Sequence, residues 1–286
     1  MTESPSYAQH LRYYETDLSE LENYPLRMRN GICIAVTAGS ATLNTGAETY
    51  RLVPQMELTF ISGSLGQCTD RSDDFRVKMF TFSPELLEKT ALTLDHAYFD
   101  YCEEHPTYVH TPDTRSQRTW RELLLWMEMA CTLFGKSAEP KFRGLQEENF
   151  LQGFWMWLFG TIQERIDTKN NFTNTQVIAH RFIRMVKAKA ATCHRVDYYA
   201  GQLNISQRYL NRIVGRHSRG RSPKQIIDAQ LIAEIKEQLM DSTLSITQIA
   251  ERLNFPDQSY LSRFFNRHTG MSPVQYRNQR LLHWKY

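Results

Sequence analysis

A pattern of two short helices joined by a tight turn occupies residues 245–277 and constrains the fold more than any other feature. Ser245, with Gln248 three residues later, is typical of a capping box at a helix N-terminus. Asn254 to Pro256 then interrupts the helical spacing, because the residue before a proline is disfavoured in the α region. A second helix follows, with one apolar face and one polar, basic face. The stretch therefore predicts a helix-turn-helix.

The same pattern occurs a second time, about fifty residues earlier. Matched positions pair Ala200, Leu203 and Asn204 with Ala250, Leu253 and Asn254; Tyr209, Leu210 and Arg212 with Tyr260, Leu261 and Arg263; and Ser222-Pro223 with Ser272-Pro273. Such self-similarity is a stronger signal than either copy alone. Residues 224–240 between the copies predict one continuous helix, which at 17 residues would be roughly 25 Å long. It would hold two recognition helices near the spacing of successive major-groove faces, about 34 Å.

Together, the paired modules, the connecting helix and the closing run Gly270-Met-Ser-Pro-x-x-Tyr-Arg277 resemble the AraC/XylS family of transcription regulators. The resemblance covers residues 176–280 and departs from the family at Asn254, where glycine is common. Asparagine is the next most tolerant residue in a left-handed turn, so we expect the turn to be kept. The resemblance implies a sequence-specific regulator of double-stranded DNA. It favours an activator, for which RNA polymerase is the expected partner.

Two outward helix faces carry the side chains suited to contact base edges. Arginine can bridge guanine O6 and N7, and asparagine or glutamine can bridge adenine N6 and N7. The candidates are Gln207, Arg208, Asn211 and Arg212 in the first module, and Gln258, Ser259, Ser262 and Arg263 in the second. The family resemblance supports these recognition-helix positions.

A second set of basic residues lies near helix ends, where side chains more often contact phosphates and fix the register of the protein on DNA. The members of this set are Arg216, Arg219, Arg221, Lys224, Arg267 and Arg277. The overall net charge of +3 conceals this concentration. Residues 175–286 hold 18 Lys+Arg and 7 Asp+Glu, which leaves 16 and 24 for residues 1–174. This division into an acidic and a basic part predicts that only the basic part, residues 175–286, binds a polyanion.

Short stretches of alternating hydrophobicity within residues 30–82 predict β-strands, with Gly, Pro and Asp at the turns between them. Their spacing is typical of a small barrel or sandwich. In the family that the C-terminal part resembles, a cupin-like barrel that binds a small effector often stands here. The fold class is accordingly α+β, with an N-terminal cupin-like barrel or sandwich with helices and a C-terminal all-α domain of two helix-turn-helix modules.

A polar stretch without periodicity, residues 167–174, is the expected linker. We therefore predict a sensory or dimerisation domain over residues 1–170 and a DNA-binding domain over residues 171–286. Within the first, the barrel would span residues 28–83 and helices would span residues 84–167.

Apolar residues at 4-3-4-3 spacing within residues 116–134 suggest a coiled-coil-like seam and hence a homodimer interface. Its members are Trp120, Leu124, Met127, Cys131 and Phe134. A helix of residues 145–166 follows that is apolar nearly all round, which predicts burial on more than one side. The competing interpretation is that both helices simply cover the barrel, and the spacing alone does not separate the two.

Several classes of function lack support in the sequence. The strand region holds no histidine, and His96, His105 and His110 lack ligand spacing, so we expect no metal. No phosphate-binding glycine loop or nucleophile motif occurs, and we expect neither a cofactor nor enzymatic activity. Five scattered cysteines without a CxxC pair fit reduced thiols. With no apolar span and no signal peptide, the expected location is the cytoplasm and no membrane partner is expected.

The hypothesis is a DNA-binding transcription regulator that responds to a small effector through its N-terminal half. One alternative makes that half a protein-docking or dimerisation module without a ligand. A second alternative is an enzyme with a DNA-binding appendage. A closed apolar lumen in the barrel would favour the effector, whereas a lumen filled by side chains would favour docking.

Overall fold

The computed structural model describes residues 9–22, 25–61, 63–91, 96–136, 142–169, 174–218 and 220–282. Its strands are β1 (Leu11–Thr16), β2 (Leu26–Met28), β3 (Gly31–Ala38), β4 (Ala41–Asn44), β5 (Thr49–Leu52), β6 (Met56–Phe60), β7 (Ser64–Thr69), β8 (Arg76–Phe82) and β9 (Thr107–Val109). Its helices are α1 (Pro84–Ala91), α2 (His96–Glu104), α3 (Thr114–Phe134), α4 (Arg143–Lys169), α5 (Asn174–Lys189), α6 (Val196–Gln202), α7 (Gln207–His217), α8 (Pro223–Leu239), α9 (Ile246–Arg252), α10 (Gln258–Thr269) and α11 (Pro273–Leu282).

The strands form a sandwich of two antiparallel sheets, which confirms the predicted α+β class. One sheet has the strand order β1-β8-β3-β6-β9 and the other has the order β2-β7-β4-β5. Large apolar side chains from both sheets, such as Leu43, Leu58 and Val77, are buried in one cluster between them. These side chains pack into the space between the two sheets.

Strand β3 is buried along nearly its whole length because both of its faces are covered. Ile32, Ile34 and Val36 point between the sheets, while Cys33 and Ala35 join a second cluster that the helices form against the outer face. A strand covered on both sides reads as a continuous apolar run and not as a clean alternation. This explains why the central strand carries Ile, Cys, Ala and Val in succession.

Helices α3 and α4 cover the outer face of the five-stranded sheet. The ring of Phe80 on β8 makes edge-on contacts with Phe150 and Phe154 at centroid distances of 5.4 and 4.9 Å. Phe82 contacts Trp155 in the same way at 5.3 Å. Edge-to-face pairs of this kind add to the stabilisation from burial. The prediction that the second helix is buried on more than one side is confirmed, since its rings contact both the sheet and α3.

The seam predicted as a dimer interface lies largely inside this cluster. Trp120, Met127 and Phe134 are buried within one chain, Leu124 is half-buried beside them, and Cys131 is exposed. The dimer interpretation of these residues is therefore corrected in favour of core packing. The reason is that a helix lying on a sheet needs the same i, i+3, i+4 apolar stripe as a helix that pairs with a second copy.

The elements that were not anticipated from the sequence include β1, α2 and β9. Strand β1 precedes the predicted β region and pairs with β8, with Leu11 opposite Phe82. Helix α2 fills residues that showed no clear periodicity, and β9 adds an edge strand beside β6. The pairing partner of each strand is distant in sequence, so local spacing did not reveal it.

Helices α5 to α11 share one hydrophobic cluster that spans both modules. The central helix α8 is buried on all sides, because the two modules and the β4–β5 hairpin surround it. Ser222 and Gln225 form a capping box at its start, as do Ser245 and Gln248 at the start of α9. The capping box predicted at Ser245 is thus confirmed, and the predicted 17-residue connecting helix has 17 residues, shifted by one position.

The predicted boundary after residue 170 falls within residues 170–173, which lie outside the described residues; α4 extends to Lys169 and α5 begins at Asn174. Among the helices of the described residues, none has the length and apolarity needed to cross a membrane.

Candidate DNA-binding surface

The second module is α9, a turn at Asn254, and α10. Asn254 has φ 52°, so asparagine adopts the left-handed conformation expected of it. The Asp257 carboxylate accepts the Tyr260 backbone N–H at 2.6 Å and caps α10. Gly270 ends α10 with φ 76°, a conformation that glycine adopts without strain. The turn at Asn254 is therefore kept, as expected from the sequence.

The first module is α6, a turn at Asn204, and α7. Asn204 has φ 53° and matches Asn254. The Ser206 hydroxyl accepts the Tyr209 N–H at 3.2 Å, and Gly220 has φ 80° after the end of α7. The repeat found in the sequence is therefore a repeat of local structure.

The recognition helices α7 and α10 turn their polar faces to solvent. Their apolar faces bury Leu210, Ile213 and Val214 in the first module and Leu261, Phe264 and Phe265 in the second. Of the predicted base-contacting residues, Ser262 is half-buried and the others are exposed, namely Gln207, Arg208, Asn211, Arg212, Gln258, Ser259 and Arg263. The assignment of these residues to base edges stays a prediction, and the structure leaves their side chains accessible.

One arginine on each face lies over a tyrosine ring one turn earlier. The guanidinium carbon of Arg212 is 4.9 Å from the centroid of Tyr209, and that of Arg263 is 6.0 Å from the centroid of Tyr260. A cation over an aromatic face is attracted by the ring quadrupole. The tyrosines thus restrict where the arginine side chains point.

The predicted phosphate contacts divide into two groups. Arg216 and Arg267 are exposed at the ends of α7 and α10, and Lys224 pairs with Asp228 at 2.7 Å while remaining half-exposed. Arg219 lies outside the described residues. The remaining two, Arg221 and Arg277, have internal partners in this structure.

Arg221 donates from Nη1 to the Ala47 carbonyl at 2.9 Å, and Arg277 donates from Nε to the Leu239 carbonyl at 3.0 Å. Burial lowers the pKa of both guanidinium groups. The expectation that both face phosphate is corrected for this conformation, because each side chain folds back onto a carbonyl of its own chain.

The Arg221 contact belongs to a junction between the two halves that sequence analysis missed. The hairpin that joins β4 to β5 inserts Ala47 into the helical cluster. The Ala47 N–H donates to the Gln230 side chain at 2.9 Å, so α8 and Arg221 together satisfy both backbone groups of this residue. Gly46, with φ 87°, lies so close that a Cβ atom there would be 2.6 Å from the Gln230 side-chain oxygen.

Ion pairs surround the hairpin. Lys187 on α5 pairs with Glu48 at 2.6 Å, and Arg27 on β2 pairs with the buried Glu234 on α8. Burial opposes ionisation of Glu48, but the Lys187 ammonium and its hydrogen bond outweigh burial and hold the Glu48 pKa below its ordinary value. One turn earlier on α5, Arg184 pairs with Glu103 at 3.4 Å and also with Asp100.

A cavity of about 440 Å³ lies beside these ion pairs, between the sandwich and α5. One side is apolar and the other is charged; its lining consists of Arg27, Glu48, Phe60, Ile61, Gly63, Ser64, Glu103, His180, Ile183, Arg184, Lys187 and Ala188. The Lys187 ammonium is 5.7 Å from the Phe60 ring centroid. Burial lowers the pKa of His180.

Within the described residues, no group of three or more His, Cys, Asp or Glu side chains is arranged to hold a metal ion. His110, one of the three histidines that the sequence places after the barrel strands, is fully buried. Its ring lies 3.2 Å from the Glu57 carboxylate and 2.9 Å from the Ser116 carbonyl. This buried pair connects β6 to the start of α3 and has a structural role.

Comparison with known proteins identifies the C-terminal part of the chain. Residues 199–279 match a family model described as a helix-turn-helix domain. The chain is 26% identical over 119 residues to the uncharacterized HTH-type transcriptional regulator YobQ of Bacillus subtilis (strain 168). That match covers 41% of this chain and 44% of YobQ, so less than half of the relative is spanned.

Similar solved structures include a Vibrio cholerae ToxT bound to an unsaturated fatty acid, with 15% identity, TM-score 0.43 and coverage of 93% of this chain and 94% of that one. The C-terminal domain of AraT, a response regulator from Geobacillus stearothermophilus, is 27% identical, with TM-score 0.34 and coverage of 37% and 88%.

Proposed function

We propose that the chain is an AraC-type DNA-binding transcription regulator and that its two modules contact bases in neighbouring major grooves of one operator. The match of residues 199–279 to a helix-turn-helix family model supports this proposal. One observation carries the proposal. The apolar faces of both recognition helices are buried in a single hydrophobic cluster. Their polar faces are exposed and match each other, and each carries an arginine that lies over a tyrosine ring. By the family resemblance, the regulator acts as an activator that meets RNA polymerase in the cytoplasm.

The experiment is a binding-site selection with the full chain and random duplex DNA. We expect enriched sequences to contain two specified patches whose centres are about one helical turn apart, 10–10.5 base pairs. Enrichment of a single short patch would contradict the use of both modules. Absence of any enriched sequence would contradict sequence-specific binding.

We further propose that the N-terminal half regulates the modules through the junction, in response to a small effector. The side chains that fill the sandwich argue against an effector inside it. The cavity of about 440 Å³ beside Lys187 and Glu48 supports an effector site at the junction instead, since ligand pockets commonly enclose about 300–1,000 Å³. A ligand there would compete with the ion pairs that hold α5 and α8 against the sandwich.

A cavity-filling variant tests the effector site. Ile183 lines the cavity from α5, and Ile183→Trp would occupy part of it. Metabolites that raise the thermal stability of the wild-type chain should lose that effect with Ile183→Trp. A metabolite that stabilises both proteins equally would place the effector site elsewhere.

The filled sandwich also favours a second candidate function for the N-terminal half, a docking or dimerisation module without a ligand. Measurement of the mass of the full chain in solution, together with a metabolite screen, separates the two. A homodimer that no metabolite stabilises would support docking. Neither proposal assigns the chain a catalytic activity.

A further inference from the structure

The turns of the two modules have nearly identical backbones. Asn204 and Asn254 adopt φ 53° and 52°, and both are exposed. The next residue in each turn donates its N–H to a helix carbonyl: Ile205 to Ala200 at 3.0 Å, and Phe255 to Ala250 at 2.8 Å. The local structure of one turn therefore serves as an internal reference for the other.

The side chains of these two asparagines differ in what they contact. The Asn254 amide donates from Nδ2 to the Thr192 carbonyl at 2.9 Å, across 62 residues of sequence. The Asn204 side chain makes no hydrogen bond within the described part of the chain. Backbone conformation alone would allow glycine at either position. Only Asn254 therefore has a side-chain role beyond its own turn.

Thr192 lies in the loop between α5 and α6, immediately before the first module. A second contact lies beside the first, because the His194 ring of this loop is 4.8 Å from the ring of Phe255. Phe255 is buried in the cluster shared by both modules. The entry to the first module thus contacts the turn of the second through this hydrogen bond and this ring contact, among others.

We infer that Asn254 is a positioning residue that fixes the orientation of the two recognition helices relative to each other. Helix α8 is the covalent connection between the modules, and both modules pack against it in the shared hydrophobic cluster. The Thr192–Asn254 hydrogen bond adds a directional polar contact between the entry of the first module and the turn of the second, and this contact restricts rotation of one module relative to the other. This inference rests on the proposed use of both modules on one operator.

Rigid spacing has a measurable consequence. Binding of the second module is effectively intramolecular once the first has bound, and it is strongest when the spacing of the modules matches that of the DNA patches. Loss of the hydrogen bond should lower affinity for the matched operator about three- to tenfold, from the usual net contribution of one such bond. It should also make the protein more tolerant of altered patch spacing.

The test compares Asn254→Gly and Asn254→Asp with the matched variants Asn204→Gly and Asn204→Asp in the full chain. Glycine and aspartate both accept the left-handed conformation, and neither side chain can donate to the Thr192 carbonyl. Affinity is measured for an operator obtained by selection, for versions with one base pair added or removed between the patches, and for a duplex that retains one patch.

We expect both Asn254 variants to bind the matched operator about three- to tenfold more weakly than the wild type. When the spacing between the two patches is changed, their affinity should fall by a smaller factor than that of the wild type. Affinity for the single-patch duplex should be unchanged, and both Asn204 variants should behave as the wild type on every duplex. The inference would be overturned if the Asn254 variants had the same affinities as the corresponding Asn204 variants. It would also be overturned if their affinity fell by the same factor on all duplexes. A wild type that is indifferent to the second patch would instead refute the proposed two-module function.

Discussion

Arg212 lies over the ring of Tyr209, with its guanidinium carbon 4.9 Å from the ring centroid, three residues along α7. The second module repeats this relationship at Tyr260 and Arg263. Residues at i and i+3 lie on the same face of a helix, so the contact follows from sequence spacing once the helix forms. The ring limits the conformations of the arginine before DNA arrives, and less side-chain entropy remains to be lost on binding.

Arg212→Ala and Arg263→Ala should each relax sequence preference at one patch of the operator, at a loss of about 1–3 kcal/mol for a bidentate base contact. Arg216→Ala is the matched control, because this exposed arginine lies at the end of α7 where phosphate contact is expected. It should weaken binding to all sequences about equally. Selections that return the same preferred sequence for both alanine variants would mean that these arginines do not contact bases.

DNA affinity should fall steeply with salt. Residues 175–286 carry the basic excess, and each phosphate neutralised by Lys or Arg releases counterions. A titration of the full chain between about 50 and 200 mM salt measures the slope of log affinity against log salt concentration. Arg267→Ala should reduce the slope by about one phosphate contact. An affinity independent of salt would rule out the phosphate contacts proposed here.

Gly46→Ala should destabilise the chain more than Gly220→Ala does. Both glycines have φ near 80°, so either alanine experiences left-handed strain of about 1–2 kcal/mol. At Gly46 the new Cβ also meets Gln230 and Ala233 on α8, which adds about 1–3 kcal/mol, whereas nothing lies within 4 Å at Gly220. Urea unfolding of the two variants makes the comparison. Equal losses in the free energy of unfolding would show that the close packing of Gly46 against α8 does not contribute to stability.

Acid should weaken the junction through Glu48. Because its folded-state pKa lies below the ordinary value of 4.5, the unfolded chain takes up the proton first. The stabilisation is therefore present above pH about 4.5 and is lost as pH falls through the folded-state pKa. Glu48→Gln should flatten this part of the stability–pH curve, as measured by thermal unfolding between pH 7 and 3. A variant curve parallel to that of the wild type would exclude Glu48 as a source of acid sensitivity.

The helical half could be predicted from sequence in some detail because its signals are local. A capping box, a left-handed asparagine and a glycine stop each act within about four residues of their own position. The duplication of Asn204 as Asn254 and of Arg212 as Arg263 then strengthened every assignment. The polar faces of α7 and α10 followed from helical periodicity, since the inward faces must be apolar to form the shared core.

Tertiary structure decided which apolar stripe packs into the core of one chain and which basic residue is available to contact phosphate. The spacing of Trp120, Met127 and Phe134 suits a dimer seam and a helix on a sheet equally well, and the position of β8 beneath α3 selects the second. Likewise, Arg221 has the sequence environment of a phosphate contact, yet the Ala47 carbonyl, 174 residues away, accepts its hydrogen bond. Sequence by itself determined the elements whose stabilising contacts lie within a few residues, whereas contacts between distant segments exist only after the two halves have packed together.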